Sequence, residues 1–183
     1  MKRVRIPLLA GLFSLIVASA ASAQGTSGLH FGVGGGISAP RGDAEDLFDT
    51  GWHGQILVTW NPPVIPVGLR VDGMYARMDN AESTGNMGGA DVIGGTANAV
   101  LGFRALLVKP YLLGGVGFYR LEFSNRSPHG SAERRENEPG WNAGAGVSIS
   151  LRKIDLFVEA RYHSVSTAGD RFEFVPISVG LVF

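Results

Sequence analysis

The sequence predicts an all-β fold, an eight-stranded antiparallel up-and-down transmembrane β-barrel. Three observations carry that prediction. The chain closes on an alternating apolar segment that ends at Phe183. Turn signals cut the region after residue 23 into eight pieces of strand length, and no apolar run there is long enough for a membrane helix. The face opposite the apolar one is built mostly of glycine and serine.

Residues 1–23 read as a cleaved signal peptide. Lys2, Arg3 and Arg5 form a positive start, an uncharged apolar stretch runs from Ile6 to about Val17, and Ala21-Ser22-Ala23 is a cleavage signature. The apolar stretch falls short of the ~20 residues that span a bilayer. The predicted division is therefore signal peptide 1–23 and one barrel domain over 24–183.

Composition narrows the range of chemistry open to the chain. The formal net charge is zero, so no nucleic-acid partner is expected. There is no cysteine, hence neither disulfide nor thiol chemistry. The 27 glycines follow no collagen-like period. If the chain crosses a membrane, a closed barrel is the remaining way to satisfy every backbone group in lipid.

The predicted strands are Leu29–Ser38, Trp52–Trp60, Val67–Met78, Thr96–Leu107, Pro110–Phe123, Trp141–Leu151, Ile154–Val165 and Phe172–Phe183. Strand side chains alternate with period two, and several segments alternate cleanly. Leu69, Val71, Gly73 and Tyr75 oppose Arg70, Asp72, Met74 and Ala76. Trp141, Ala143, Ala145, Val147, Ile149 and Leu151 oppose Asn142, Gly144, Gly146, Ser148 and Ser150. Leu156, Val158, Ala160 and Tyr162 oppose Phe157, Glu159, Arg161 and His163. In Pro110–Phe123, Gly114, Gly115 and Gly117 blur the parity and leave the facing open.

Connections alternate in length. Asn61–Pro66, Val108-Lys109 and Arg152-Lys153 are short, Ser166–Arg171 is intermediate, and Ala39–Gly51, Asp79–Gly95 and Ser124–Gly140 are long and polar. An even strand count puts all long loops at one end, the plan of an outer-membrane barrel. A soluble barrel with the same alternation would carry many Lys and Glu on its wet face. Here only Lys109 and Lys153 follow residue 23, and the polar face is small. Trp52, Trp60, Tyr75, Trp141 and Tyr162 lie near strand ends on the apolar face, as an aromatic girdle would.

Phe31-Gly32-Val33-Gly34-Gly35-Gly36, Lys109-Pro110-Tyr111-Leu112-Leu113-Gly114-Gly115-Val116-Gly117, Phe157-Val158-Glu159-Ala160-Arg161-Tyr162 and the final Val175–Phe183 resemble strands of one family. It is the small outer-membrane β-barrel family of OmpA transmembrane-domain and OmpX-like proteins. The resemblance covers the chain from about Gln24 onward. It implies a bacterial outer-membrane location, and that Val179, Leu181 and Phe183 act as the terminal assembly signal. It also implies three partners: outer-membrane lipid, lipopolysaccharide and the barrel-assembly machinery. Members differ widely in activity, so it says little about function.

Candidate chemistry is sparse. Gly32–Gly36 lacks the helix that a dinucleotide loop must open into, since Ser38-Ala39-Pro40 follows. His163, Ser164 and Ser166, with Glu159 nearby, resemble the Ser–His pair of outer-membrane lipid A deacylases. Their odd separations put His163 and either serine on opposite strand faces. The acidic run Asp43-Ala44-Glu45-Asp46-Leu47-Phe48-Asp49 matches no EF-hand spacing and reads as a solvated loop. So does Glu133-Arg134-Arg135-Glu136. No metal and no cofactor are expected. Arg70, Asp72, Arg104, Glu159 and Arg161 share the polar parity near mid-strand, and are expected to plug the lumen as an ionic network with help from Asn98, Asn142 or His163. The expected function is a non-enzymatic barrel with a structural or interaction role through its external loops. A lipid-modifying enzyme and a narrow channel are the alternatives.

Overall fold

The computed structural model describes residues 28–62, 67–81, 87–103, 107–127, 130–151, 153–167 and 171–183; within them it leaves the side chains of 87, 125–127 and 130–134 undescribed. The predicted signal peptide and Arg104 lie outside these residues. Eight strands form one closed barrel: β1 (Leu29–Arg41), β2 (Gly51–Trp60), β3 (Val67–Asp79), β4 (Met87–Gly102), β5 (Val108–Ser127), β6 (Gly130–Leu151), β7 (Ile154–Ser166) and β8 (Arg171–Val182). Each strand pairs antiparallel with its sequence neighbour, and β1 closes on β8 from Gly32↔Val182 to Arg41↔Glu173. Among the described residues no helix is long and apolar enough to cross a membrane.

Alternation sets the two faces. Ile56, Val71, Leu112, Val116, Val158, Ile177 and Val179 point outward and are exposed, while Arg70, Asp72, Asn98, Phe157, Glu159 and Ser178 point inward and are buried. The facing of β5 is resolved as well: Leu112, Val116 and Phe118 face out, and Leu113, Tyr119 and Leu121 face in.

A lumen this narrow holds large side chains where the neighbouring strand is bare. A Cβ on Gly146 would meet the Tyr111 ring, and one on Gly180 would meet Phe157. On Gly94 and Gly140 it would come within 2.8 and 2.9 Å of the Tyr119 ring. These glycines are the sockets of the lumen side chains.

The element bounds correct the sequence reading in three places. β4 begins at Met87 and ends at Gly102, so most of the predicted loop Asp79–Gly95 is strand. β5 and β6 pair without interruption from Val108↔Ile149 to Ser127↔Gly130, so the predicted loop Ser124–Gly140 is mostly a β-hairpin. Val108 and Lys109 belong to β5 rather than to a turn. The hairpin overshoots its neighbour, because the β6–β7 ladder starts only at Gly140↔Val165.

The β7–β8 ladder lapses at Arg161 and Tyr162 and resumes at His163↔Phe174. Pro176 stands there and has no N–H to give. Its other side still registers with Ser38 of β1.

Candidate functional site

The lumen is filled in layers. Toward the short-turn end lie the buried Leu57, Leu113 and Phe157, with Tyr111 beyond Leu113. At mid-barrel sits a square of four charges. Arg70 and Asp72 come from β3, Glu159 and Arg161 from β7, and these two strands are four places apart in a ring of eight. The square therefore spans the lumen. Arg70 donates to Glu159 through Nη1 at 2.7 Å and Nη2 at 3.4 Å. Its Nε donates to Asp72 Oδ1 at 2.7 Å. Arg161 donates to Glu159 Oε1 at 2.6 Å and to Asp72 Oδ1 at 2.8 Å.

Each charge thus has two opposite neighbours, and the set is neutral. None of the four residues is more than 5% exposed, so the pairing offsets the cost of leaving water. Two neutral groups complete the shell: Asn98 donates to Asp72 Oδ2 at 2.7 Å, and the Tyr111 hydroxyl donates to Glu159 Oε2 at 2.8 Å. The Arg70 guanidinium also lies 5.6 Å from the centre of the Phe157 ring.

Sequence reasoning did not find Tyr111, because the facing of β5 was unresolved. Nor did it find a second polar chain, in which His53 hydrogen-bonds Ser38 at 3.1 Å through Nδ1 and Ser178 at 2.8 Å through Nε2. Even spacing could have placed Ser38 and Ser178 on the lumen face; nothing in the sequence pairs them with His53.

Toward the long-loop end the lumen turns apolar. Met74, Met78, Val92, Leu121, Phe172 and Phe174 form a buried cluster. The His163 ring stacks on Phe174 at 4.8 Å, and its Nδ1 meets the Tyr119 hydroxyl at 2.8 Å. Phe48, from the acidic loop, caps this cluster within 6.1 Å of Phe123 and 5.9 Å of Phe172. That loop is therefore not simply solvated. It begins with a 3-10 turn over Gly42–Ala44 that buries Ala44. A bridge from Phe48 to Asn80 and a bond from the Ala81 N–H to the Leu47 carbonyl strap it to the next loop.

His163 and Ser164 do fall on opposite faces. His163 belongs to the lumen, whereas Ser164 registers with the outward-facing Trp141. Outside the barrel, Trp52 packs on Tyr75 at 5.4 Å and Trp141 on Tyr162 at 5.5 Å, all four near the long-loop end. Trp60 lies at the opposite end of β2. Val179, Leu181 and Phe183 face outward along β8. Among the described residues no cluster of three or more metal-ligating side chains occurs.

A closed barrel with an apolar outer wall defines the class of transmembrane β-barrels. The chain belongs to the outer membrane protein beta-barrel domain family, whose model matches residues 10–183. Among solved structures it is similar to Neisserial surface protein A, at 20% identity and TM-score 0.63, over 87% of this chain and 98% of that one. It is similar to Ail, the attachment invasion locus protein of Yersinia pestis, at 18% identity and TM-score 0.59, over 86% and 100%. It is also similar to the outer membrane enzyme PagL, at 12% identity and TM-score 0.53, over 84% and 98%. At these identities the likeness is one of fold. No curated protein sequence matches the chain.

Proposed function

We propose that this protein is a non-enzymatic outer-membrane barrel with a plugged lumen, and that it acts by presenting the β5–β6 hairpin to partners outside the cell. The observation that carries this reading is the contrast between the filled interior and a hairpin that rises past its β7 neighbour. The lumen is occupied by the four-charge square and the apolar cap, whereas β5 and β6 run to 20 and 22 residues and rise past β7. Residues 1–23 act as the export signal, and Val179, Leu181 and Phe183 present the chain to the barrel-assembly machinery. Trp52, Trp60, Tyr75, Trp141 and Tyr162 serve as girdles against outer-membrane lipid and lipopolysaccharide.

Photo-crosslinking in living cells tests the reading. A crosslinking residue at Asn137, exposed on the outer face of β6, is expected to trap protein adducts, and the same residue at lipid-facing Val158 is not. Replacing residues 124–133 with Asn-Gly, a two-residue hairpin turn, should leave the barrel assembled and abolish adducts at position 137. An absence of adducts at Asn137, or release of fatty acid from lipopolysaccharide by the purified protein, would overturn the proposal.

A further inference from the structure

Barrel closure leaves one register that no chain connection sets. Seven of the eight ladders join strands that follow one another in the chain, and each connection limits how far its strands can slide. The eighth pairs β1 with β8, the two ends of the sheet. A slip of one residue there would turn lumen side chains toward lipid. A slip of two keeps every facing and is the competing arrangement.

Little along the seam opposes that slip. Toward lipid, Val33, Gly35 and Ile37 stand opposite Leu181, Val179 and Ile177, and these could trade partners without exposing a polar group. Toward the lumen β1 offers Gly32, Gly34 and Gly36, and Gly-rich strands specify register weakly. At the rim, exposed Arg41 pairs with Glu45 of its own loop. The charged square joins β3 to β7 rather than β1 to β8.

His53 of β2 crosses this bare stretch. It registers with Gly36 of β1, and Gly36 registers with Ser178 of β8. A Cβ on Gly36 would lie 3.3 Å from the His53 ring, so the ring runs over the glycine. Its Nε2 meets Ser178 Oγ at 2.8 Å, and its Nδ1 meets Ser38 Oγ at 3.1 Å. One side chain thus holds both strands of the seam. None of the three residues is more than 3% exposed.

The two contacts respond differently to a slip. Ser38 lies on β1, which is tied to β2, so it moves with His53. Ser178 lies on β8, and a slip of two residues carries it about 7 Å away. The residue brought in its place is Gly180 or Pro176, and neither has a polar side chain. A slipped barrel would leave a ring nitrogen buried and unpaired, which costs more than a made hydrogen bond contributes.

We infer that His53 is the register clasp of the closing seam, with Ser38 orienting its ring and Ser178 as the group it selects on β8. His53 is thereby a positioning residue, and the inference is independent of the proposed interaction role.

Disulfide trapping on the full barrel refolded in detergent micelles tests it, since the chain has no cysteine of its own. Ile37→Cys with Ile177→Cys reports the native register. Ile37→Cys with Val179→Cys, or with Val175→Cys, reports a slip of two in either direction. Directly opposed positions lie within disulfide reach, and diagonal ones, at about 7–8 Å, lie beyond it. In the otherwise unmutated barrel only the 37–177 pair is expected to close. With His53→Leu or Ser178→Ala added, a slipped pair should close several-fold more than in the parent. Leu113→Ala, which loosens packing on β5, should still trap 37–177 alone. If His53→Leu does not refold, Ser178→Ala decides, because it removes a single oxygen. Failure of both to refold would assign them to folding rather than register and overturn the inference. So would a 37–177 bond that stays exclusive in both variants, or slipped bonds in Leu113→Ala as well.

Discussion

At the scale of single residues, Glu159 is the most committed group in the molecule. It accepts from Arg70, Arg161 and Tyr111 and is 1% exposed. Glu159→Gln keeps the shape and removes the charge, which leaves Arg70 and Arg161 sharing one carboxylate. Breaking a buried pair from one side costs about 3–5 kcal/mol. We expect a loss of that order in urea unfolding of the refolded barrel, and no appearance of ion conductance. Gly146→Val tests the socket principle from the other side. Its side chain would invade the Tyr111 ring, and overpacking costs about 1–3 kcal/mol. Tyr111→Ala and Gly146→Val together should cost less than the sum of the two single losses, since the invaded ring is gone; an additive loss would count against a direct clash.

At the scale of elements, β8 separates two kinds of defect. Phe174 is fully buried and stacks on His163, whereas Phe183 faces outward at 46% exposure. Phe174→Ala should assemble and then unfold more easily, by roughly 3–5 kcal/mol as for other buried aromatics. Phe183→Asp should lower the amount assembled in cells. Equal assembly yields for the two variants would show that the end of β8 carries no signal. The elements also differ in how legible they are in the sequence. β7 is legible because Glu159 and Arg161 alternate with Val158 and Ala160. The upper halves of β4 and β5 are not. There the lumen face is apolar, with Val92 and Leu121, while Asp91, Arg120 and Glu122 stand on the outward parity, so the apolar face changes sides and the alternation breaks phase. The same break hides the start of β4, whereas Gly114, Gly115 and Gly117 hide the inward face of Tyr111. Glu133-Arg134-Arg135-Glu136 reads as a loop for the complementary reason. A hairpin that runs past its neighbouring strand has no need of an apolar face, so no period-two signal marks it. The charged square is within reach because each half lies on one strand at i and i+2. The partnership of His53 with Ser38 and Ser178 joins three strands, and no local pattern announces it.

At the scale of the whole molecule, closure by β1–β8 pairing leaves no sheet edge within the barrel wall from which to unravel. The folded protein should resist SDS at room temperature and change its gel mobility on boiling. Planar bilayers holding it should show no steady current, since apolar layers lie on both sides of the square; a constant open level would contradict a filled lumen. The strapped first loop carries a practical corollary for anyone using the barrel to carry cargo on a cell surface. Phe48 is both a residue of that loop and the lid of the interior. A passenger peptide spliced beside it would pull out the stopper, and the carrier would fail along with its load.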